Sequence, residues 1–427
     1  MPPTPSVSPP STLVLLPPAR YPPTYTSFKA AFHAPLLTLL RSLSAAHSPS
    51  PSNERHILDI ALPIPLLSKD RSAPRAALFD VTQKAVASLY KLVAIISARD
   101  GLNAEGDEGI DVRVVLVAWP RDGRMADGEE DESGDEVDVL VGVKKLAQCW
   151  RWGEVVGVEN EEGEQILRSF LRLAQEVSGG ARFEVRKVRG GIVQVNAEEA
   201  RFLQNGYEGV RRHYSVINGG TFDHLHIGHK LLLTMTAFVL DRYGKSSLDA
   251  GTRFITIGIT GADQLKNKKY AEFLESWSER QKAVHSFLRG IMCFDPPGKQ
   301  NEEVEERNNP GPNGHVVEVR MTDGVAIRYT EIWDPYGPTI TDASITALVL
   351  SEETRKGGHA VNEKRKEIGF EPLDIFEVDV LDAEDKDDSN QEEGEQADSV
   401  EKQFLQKLSS TELRKARRER GEDKSNV

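Results

Sequence analysis

The chain has 427 residues, with 53 basic against 67 acidic side chains, a formal net charge of −14 and 39% hydrophobic residues. At roughly 100–200 residues per domain this length gives two or three domains, and the apolar content excludes disorder throughout. Two acidic windows, 127–138 and 382–398, carry the whole excess of acid; the near-neutral remainder excludes the basic face that non-specific duplex binding needs.

The two cysteines, Cys149 and Cys293, exclude a disulfide scaffold and a Cys-based zinc module. No apolar run approaches the roughly 18 residues of a membrane span. The stretch 13–16 is stopped by Pro17 and Pro18, too short for a signal-peptide core. The expectation is a soluble cytoplasmic protein with neither membrane nor nucleic-acid partner.

Residues 1–53 are Pro/Ser-rich at both ends and read as a lead-in, with mobile connectors up to about Pro23 and over 48–52. A second region, 54–206, has α/β texture without a chemistry-bearing cluster. Strands are expected at 57–63 and 112–118, helices at 81–97 and 166–177, and a Gly-broken hairpin at 182–195. From residue 207 the rhythm becomes βαβ. Strands are expected at 215–218, 254–259, 316–321, 326–332, 347–350 and 374–380. Helices are expected at 227–243 with Gly244 as cap, at 278–290 with Ser278 as cap, at 361–368, and from about Ser410. The segments 295–314 and 382–398 read as inserts, the second mobile because like charge without apolar residues cannot offset its ordering entropy. Alternating strands and helices imply a parallel sheet with ligands at the carboxyl ends of its strands.

One string carries chemistry: Gly219-Gly220-Thr221-Phe222-Asp223-His224-Leu225-His226-Ile227-Gly228-His229. A strand ends at two glycines that let a ligand approach the backbone, and a helix then opens with its unpaired N–H groups and positive dipole end facing the same space. His226 and His229, three apart, share a face of the first turn, and Gly228 keeps that face open. Two imidazole donors above a helix N-terminus suit nucleotide phosphates. Zinc is not expected, since carboxylate or Cys partners at ligand spacing are absent.

This string resembles the signature of nucleotidyltransferases with a (Thr/His)-x-Gly-His motif, and Leu408-Ser409-Ser410-Thr411-Glu412-Leu413-Arg414 resembles their second signature. Between them, the stretch from Asp263 to Lys269, Glu279-Arg280, Asp334 to Asp342, Ser351 to Gly358, and Arg365 are similar to the eukaryotic phosphopantetheine adenylyltransferases, in their fungal, monofunctional form. The resemblance covers about 214–427. The Arg-Gly-x-Arg element of the bacterial enzymes has no match. A Gly-x-x-x-x-Gly-Lys-(Ser/Thr) loop is absent too, so no fused dephospho-CoA kinase is expected.

The resemblance implies a Rossmann-like domain over 207–427 that transfers the adenylyl group of ATP to 4′-phosphopantetheine. Gly219, Gly220, Thr221, Phe222 and Gly228 would form the nucleotide-binding turn. His226 and His229 would donate to the triphosphate, and Thr221 and Lys268 would hold the attacking phosphate. Ser409, Ser410, Thr411 and Arg414 would grip the leaving pyrophosphate, and Mg2+ would arrive with ATP. Lys268 is taken over Lys266 and Lys269 by counting back from Glu279-Arg280. The alternatives are another nucleotidyltransferase of this superfamily, a fragment of a class I aminoacyl-tRNA synthetase, and a catalytically silent nucleotide- or CoA-binding scaffold.

Overall fold

The computed structural model describes residues 11–46, 55–69, 73–102, 109–120, 123, 137–149, 151–176, 183–191, 207, 209–243, 251–295, 302–321, 324–379 and 410–420. The insert at 382–398 and Gly244 lie outside them, as do most of the acidic window 127–138 and Ser409.

The amino-terminal unit is a six-stranded parallel sheet. Its strands are β1 (Ser11–Leu15), β2 (His56–Pro63), β3 (Ile110–Ala118), β4 (Leu140–Gly142), β5 (Glu154–Glu159) and β6 (Glu184–Arg189), in the order β4-β3-β2-β1-β5-β6. Both faces are covered. Val14, Leu58, Ile60 and Val112 join the core under α1 (Tyr25–Ala46) and α2 (Phe79–Asp100), while Leu13, Leu15 and Val115 pack with Ile166 and Phe170 of α3 (Glu161–Gln175). The expected lead-in is corrected here: β1 lies between β2 and β5, and all five of its residues are buried. Of the hairpin expected at 182–195, the described residues form one strand, β6, parallel to β5, and 182 and 192–195 lie outside them.

The carboxyl-terminal sheet has the order β13-β12-β7-β8-β11-β10-β9. Its parallel strands are β7 (Ser215–Gly220), β8 (Arg253–Thr260), β11 (Val325–Ile332), β12 (Ala347–Ser351) and β13 (Asp374–Val378). β9 (Glu302–Asn308) and β10 (His315–Met321) extend it antiparallel. The insert expected at 295–314 therefore contains an edge strand, which alternation did not announce because β9 is mostly exposed on both faces. The helices are α4 (Ile227–Val239), α5 (Trp277–Met292), α6 (Arg355–Glu367) and α7 (Ser410–Arg420). α4 stops at Val239, before the expected Gly244 cap, where Leu240 bridges His213. The cap of α5 is Ser276, not Ser278, and it forms a reciprocal capping box with Glu279.

Chain order reverses between β7 and β12, the switch point at which such sheets open a crevice. The two strands pair only at Val216 and Ile217. Beyond them they diverge, and the Asn218 side chain donates to the Val349 carbonyl at 3.0 Å in place of the backbone ladder. One continuous core joins the two units, with Val86, Leu89 and Val93 of α2 and Leu231, Met235 and Phe238 of α4 in the same buried cluster. Among the described residues no helix is long and apolar enough to cross a membrane.

Candidate active site

A cavity of about 730 Å³ opens at the carboxyl ends of β7 and β12. Gly219, Gly220, Thr221, Phe222, His226, Gly228, His229, Lys268, Ser410, Thr411 and Arg414 all border it. Of the site residues named from sequence, only Ser409 lies outside the described residues.

The turn from β7 into α4 is held in an unusual backbone path. Phe222 (φ 52°) and His224 (φ 47°) both sit in the left-handed region, which costs a non-glycine residue on the order of 1 kcal/mol or more and gathers at functional sites. Phe222 is fully buried, and a Cβ on Gly220 would stand 3.1 Å from its ring. His226 is the N-cap of α4 in extended conformation, and its carbonyl accepts the Lys230 N–H at 3.0 Å. The rings of His226 and His229 stack with centroids 3.9 Å apart, and a Cβ on Gly228 would press on the His226 ring at 3.1 Å. Burial, reinforced by Lys230 and His224, pushes His226 down to about 4; burial and the neighbouring His226 and Lys268 hold His229 well below the usual histidine range. Both rings are therefore neutral at pH 7, each with one N–H to donate. Neither Nδ1 has a hydrogen-bond partner among the described residues.

On the same cavity, Lys268 Nζ donates to Thr221 Oγ1 at 3.0 Å. Lys266 instead pairs with Asp263 at 2.6 Å on an exposed surface, and Lys269 lends its carbonyl to Arg414 Nε at 3.1 Å. Burial, with Arg414 and Arg280, lowers the Lys268 pKa.

Asp223 ties the two signature segments together. It is fully buried, accepts the Glu275 N–H at 2.9 Å and pairs with Arg414, while its carbonyl accepts Ser410 Oγ at 2.8 Å. Arg414, expected to add charge for the pyrophosphate, is thus largely engaged: it also reaches the Lys269 carbonyl and Thr411 Oγ1. Asp223, His224 and Glu275 bring one ligand-type atom each within 4.8 Å of one another. Protein partners close that cluster, with His224 Nε2 2.9 Å from the Phe273 carbonyl and the His224 N–H donated to Glu275 at 2.7 Å. Burial opposes protonation of His224, but the Glu275 hydrogen bond and the Asp223 charge outweigh it and raise its pKa.

Arg280 belongs to the stretch that carries the resemblance, which implies no role for it. It is buried and donates to the carbonyls of Thr221 (2.6 Å), Thr260 (2.9 Å) and Glu275 (3.1 Å), fixing the loop that carries Thr221. The signal was available, since Arg280 shares a helical face with the buried Val284 and Phe287. Asp334 accepts the N–H groups of Tyr336 and Gly337, both at 2.8 Å, and is a turn residue.

A doubly wound sheet with a cavity at its switch point, bordered by a helix N-terminus, is the geometry of a nucleotide-handling α/β domain. A family model described as a domain of unknown function (DUF8446) matches residues 1–194. The phosphopantetheine adenylyltransferase of Pyrococcus abyssi is 32% identical over 166 residues, covering 39% of this chain and 78% of that protein. The phosphopantetheine adenylyltransferase of Saccharomyces cerevisiae is 30% identical over 197 residues, covering 46% of each. An uncharacterized protein of Schizosaccharomyces pombe is 36% identical over 163 residues, covering 38% of this chain and 39% of that protein. The chain thus spans less than half the length of these two fungal relatives. Its class is that of the nucleotidyltransferases. It belongs to the phosphopantetheine adenylyltransferase family.

Proposed function

We propose that the protein transfers the adenylyl group of ATP to 4′-phosphopantetheine, releasing pyrophosphate and dephospho-CoA. One observation carries the reading: Lys268 on Thr221 and the stacked neutral imidazoles at the α4 N-terminus border one and the same cavity. That pairing suits a reaction between two phosphates.

A phosphate monoester is an anion at pH 7 and attacks without a general base. Its oxygen forms a bond to the α-phosphorus of ATP while the bond from that phosphorus to the bridging oxygen breaks and pyrophosphate leaves. What remains for the protein is in-line positioning and stabilisation of developing charge. Thr221 and Lys268 hold the attacking phosphate. His226 and His229 donate N–H groups to the triphosphate, beside the free amides of the first turn of α4. Thr411 borders the cavity, with Ser410 fixing the start of α7 on Asp223, and in this reading it holds the leaving pyrophosphate. The donor set fits an ion carried in by ATP, because the two carboxylates among the described cavity residues already accept from the protein, Asp334 from the Tyr336 and Gly337 N–H groups and Asp379 from Gln83. Mg2+ held on phosphate oxygens would supply charge neutralisation.

Pyrophosphate release tests the reading, with 4′-phosphopantetheine compared against nicotinamide mononucleotide, phosphocholine and glycerol phosphate as acceptors. Steady release with phosphopantetheine alone is the expected result and excludes a silent scaffold. Faster release with another acceptor would assign the protein to a different transfer, and no release with any would leave only binding.

A further inference from the structure

The amino-terminal unit has no place in the reaction above, yet it grips the helix that does. Lys230 follows His229 directly. Consecutive helical residues point about 100° apart, so His229 faces the cavity while Lys230 turns away from it. The Lys230 ammonium ends on β3, donating to Asp111 Oδ1 at 2.7 Å and to the Val112 carbonyl at 3.0 Å. Its side chain is only 8% exposed, so this is a lysine committed to the interior. Burial alone would raise the Asp111 pKa, but Lys230 and Arg113 outweigh it and hold the carboxyl at about 2, so Asp111 is a carboxylate at neutral pH. The same unit also touches the opposite wall of the crevice. Gln83 of α2 donates to Asp379 at 2.8 Å, Asp379 borders the cavity just after β13, and the Phe79 ring lies 5.0 Å from that of Phe376 in β13.

We infer that the amino-terminal unit is a working part of the transfer site: through the Asp111–Lys230 ion pair it anchors the first turn of α4 and so sets the position of His226 and His229. Lys230 and Asp111 are positioning residues, acting through the two imidazoles, and the inference rests on the reading of this cavity as a transfer site. A stacked histidine pair with no protein partner at either Nδ1 has little of its own to hold it, so its precision comes from the helix. A misplacement of about 1 Å costs an in-line transfer as much as 100-fold.

The test uses the full chain with Asp111→Asn, Lys230→Met and the double variant, and two readouts. Amide hydrogen exchange over 230–233 reports the anchoring without substrate. Initial rates of pyrophosphate release report its consequence. Both single variants are expected to exchange at least 10-fold faster there while β8 is unchanged. Turnover at saturation is expected to fall 10- to 100-fold with KM for ATP within about threefold, a split that general loosening of the fold would not give. The double variant, which leaves no unpaired charge, is expected to be no worse than the worse single, and replaces either single that fails to fold. Wild-type exchange, or faster exchange with unchanged turnover, overturns the inference. If the wild-type chain releases no pyrophosphate, the proposed reaction has failed instead. The anchoring is then judged by exchange and ATP affinity, and wild-type values of both in the variants overturn it.

Discussion

Replacing Lys268 separates its proposed role from that of its neighbours. Among the cavity-lining side chains, Arg414 is taken up by Asp223 and two further acceptors, and the imidazoles are neutral. Lys268 makes no ion pair among the described residues and touches only the Thr221 hydroxyl. In the proposed reaction it is therefore, among the described cavity residues, the cation left to meet an incoming dianion. At about 4 Å and an effective dielectric near 20, one unit charge attracts another by about 4 kcal/mol. Exposure of the ammonium at the cavity rim and the ordering of a long side chain reduce that to about 2–3 kcal/mol. Lys268→Ala is accordingly expected to lower kcat/KM for phosphopantetheine by roughly 30- to 150-fold, since about 1.4 kcal/mol is tenfold. Lys268→Gln is expected to be almost as poor, because a neutral amide cannot offset the dianion. Affinity for ATP should be nearly unchanged in both. Lys266→Ala removes only an exposed pair with Asp263, and Lys269→Ala keeps the carbonyl that Arg414 uses; both should stay within a few-fold of wild type. Initial rates against phosphopantetheine for all three alanine variants check this. Near-normal rates for Lys268→Ala beside an inactive Lys266→Ala would refute the reasoning.

His229→Ala is expected to lower turnover about 100- to 1,000-fold, as the loss of a preorganised donor does, with ATP affinity changed by less than about threefold; weakened ATP binding with turnover kept would make it a ground-state anchor. The His226 imidazole should stay neutral down to about pH 4 by NMR titration. Because its folded pKa lies below the unfolded value, the unfolded state binds more protons between about 4 and 6.5, so this group makes stability rise with pH across that window, and a flat stability curve would contradict it. Asp59 is fully buried and accepts from Arg113 (2.7 and 3.1 Å), Arg151 (2.9 Å) and Trp152 (2.8 Å). Asp59→Asn leaves buried guanidinium charge uncompensated and should destabilise by about 3–5 kcal/mol in urea unfolding; a loss below about 1 kcal/mol would mean the cluster relaxes or is already hydrated.

The strands that sequence marks well are the ones buried on both faces. β3, β8 and β12 are short apolar runs bounded by turn residues, and the structure finds them within a residue or two of expectation. β1 has the same composition but is flanked by Pro-rich stretches, and those neighbours suggested a tether; its burial depends on β2 and β5, some 40 and 140 residues away. The site divides in the same way. Residue types at fixed short spacing place His226 and His229 at the first turn of α4, and the strand-to-helix turn follows from two glycines. The pairing of Arg414 with Asp223 could not be read, because the two are 191 positions apart and each segment carries its own motif. Lys230 and Asp111 were illegible for the same reason: each is an ordinary charge in its own segment, and only the docking of the two units makes them a pair.

These engaged charges explain how a site with so few free cations can suit a reaction between anions. A transfer that needs no base gains little from mobile acids and depends on geometry. The fold supplies geometry by spending its buried charges internally: Arg414 joins α7 to the turn after β7, Arg280 clamps the Thr221 loop to β8, and Lys230 pins α4 to β3. Each of these three ties runs to a backbone carbonyl or a buried carboxylate rather than into the cavity. Beside the engaged Arg414, Asp334 and Asp379, what borders the cavity is two imidazoles, a helix N-terminus, hydroxyls and Lys268. A more cationic site would hold two polyanions tightly in the ground state, which lowers KM without raising turnover. On this account, adding charge at the cavity, as in Thr411→Lys, is expected to tighten ATP binding and slow the release of pyrophosphate, and a variant that instead turned over faster would show that attraction, not positioning, limits the wild-type chain.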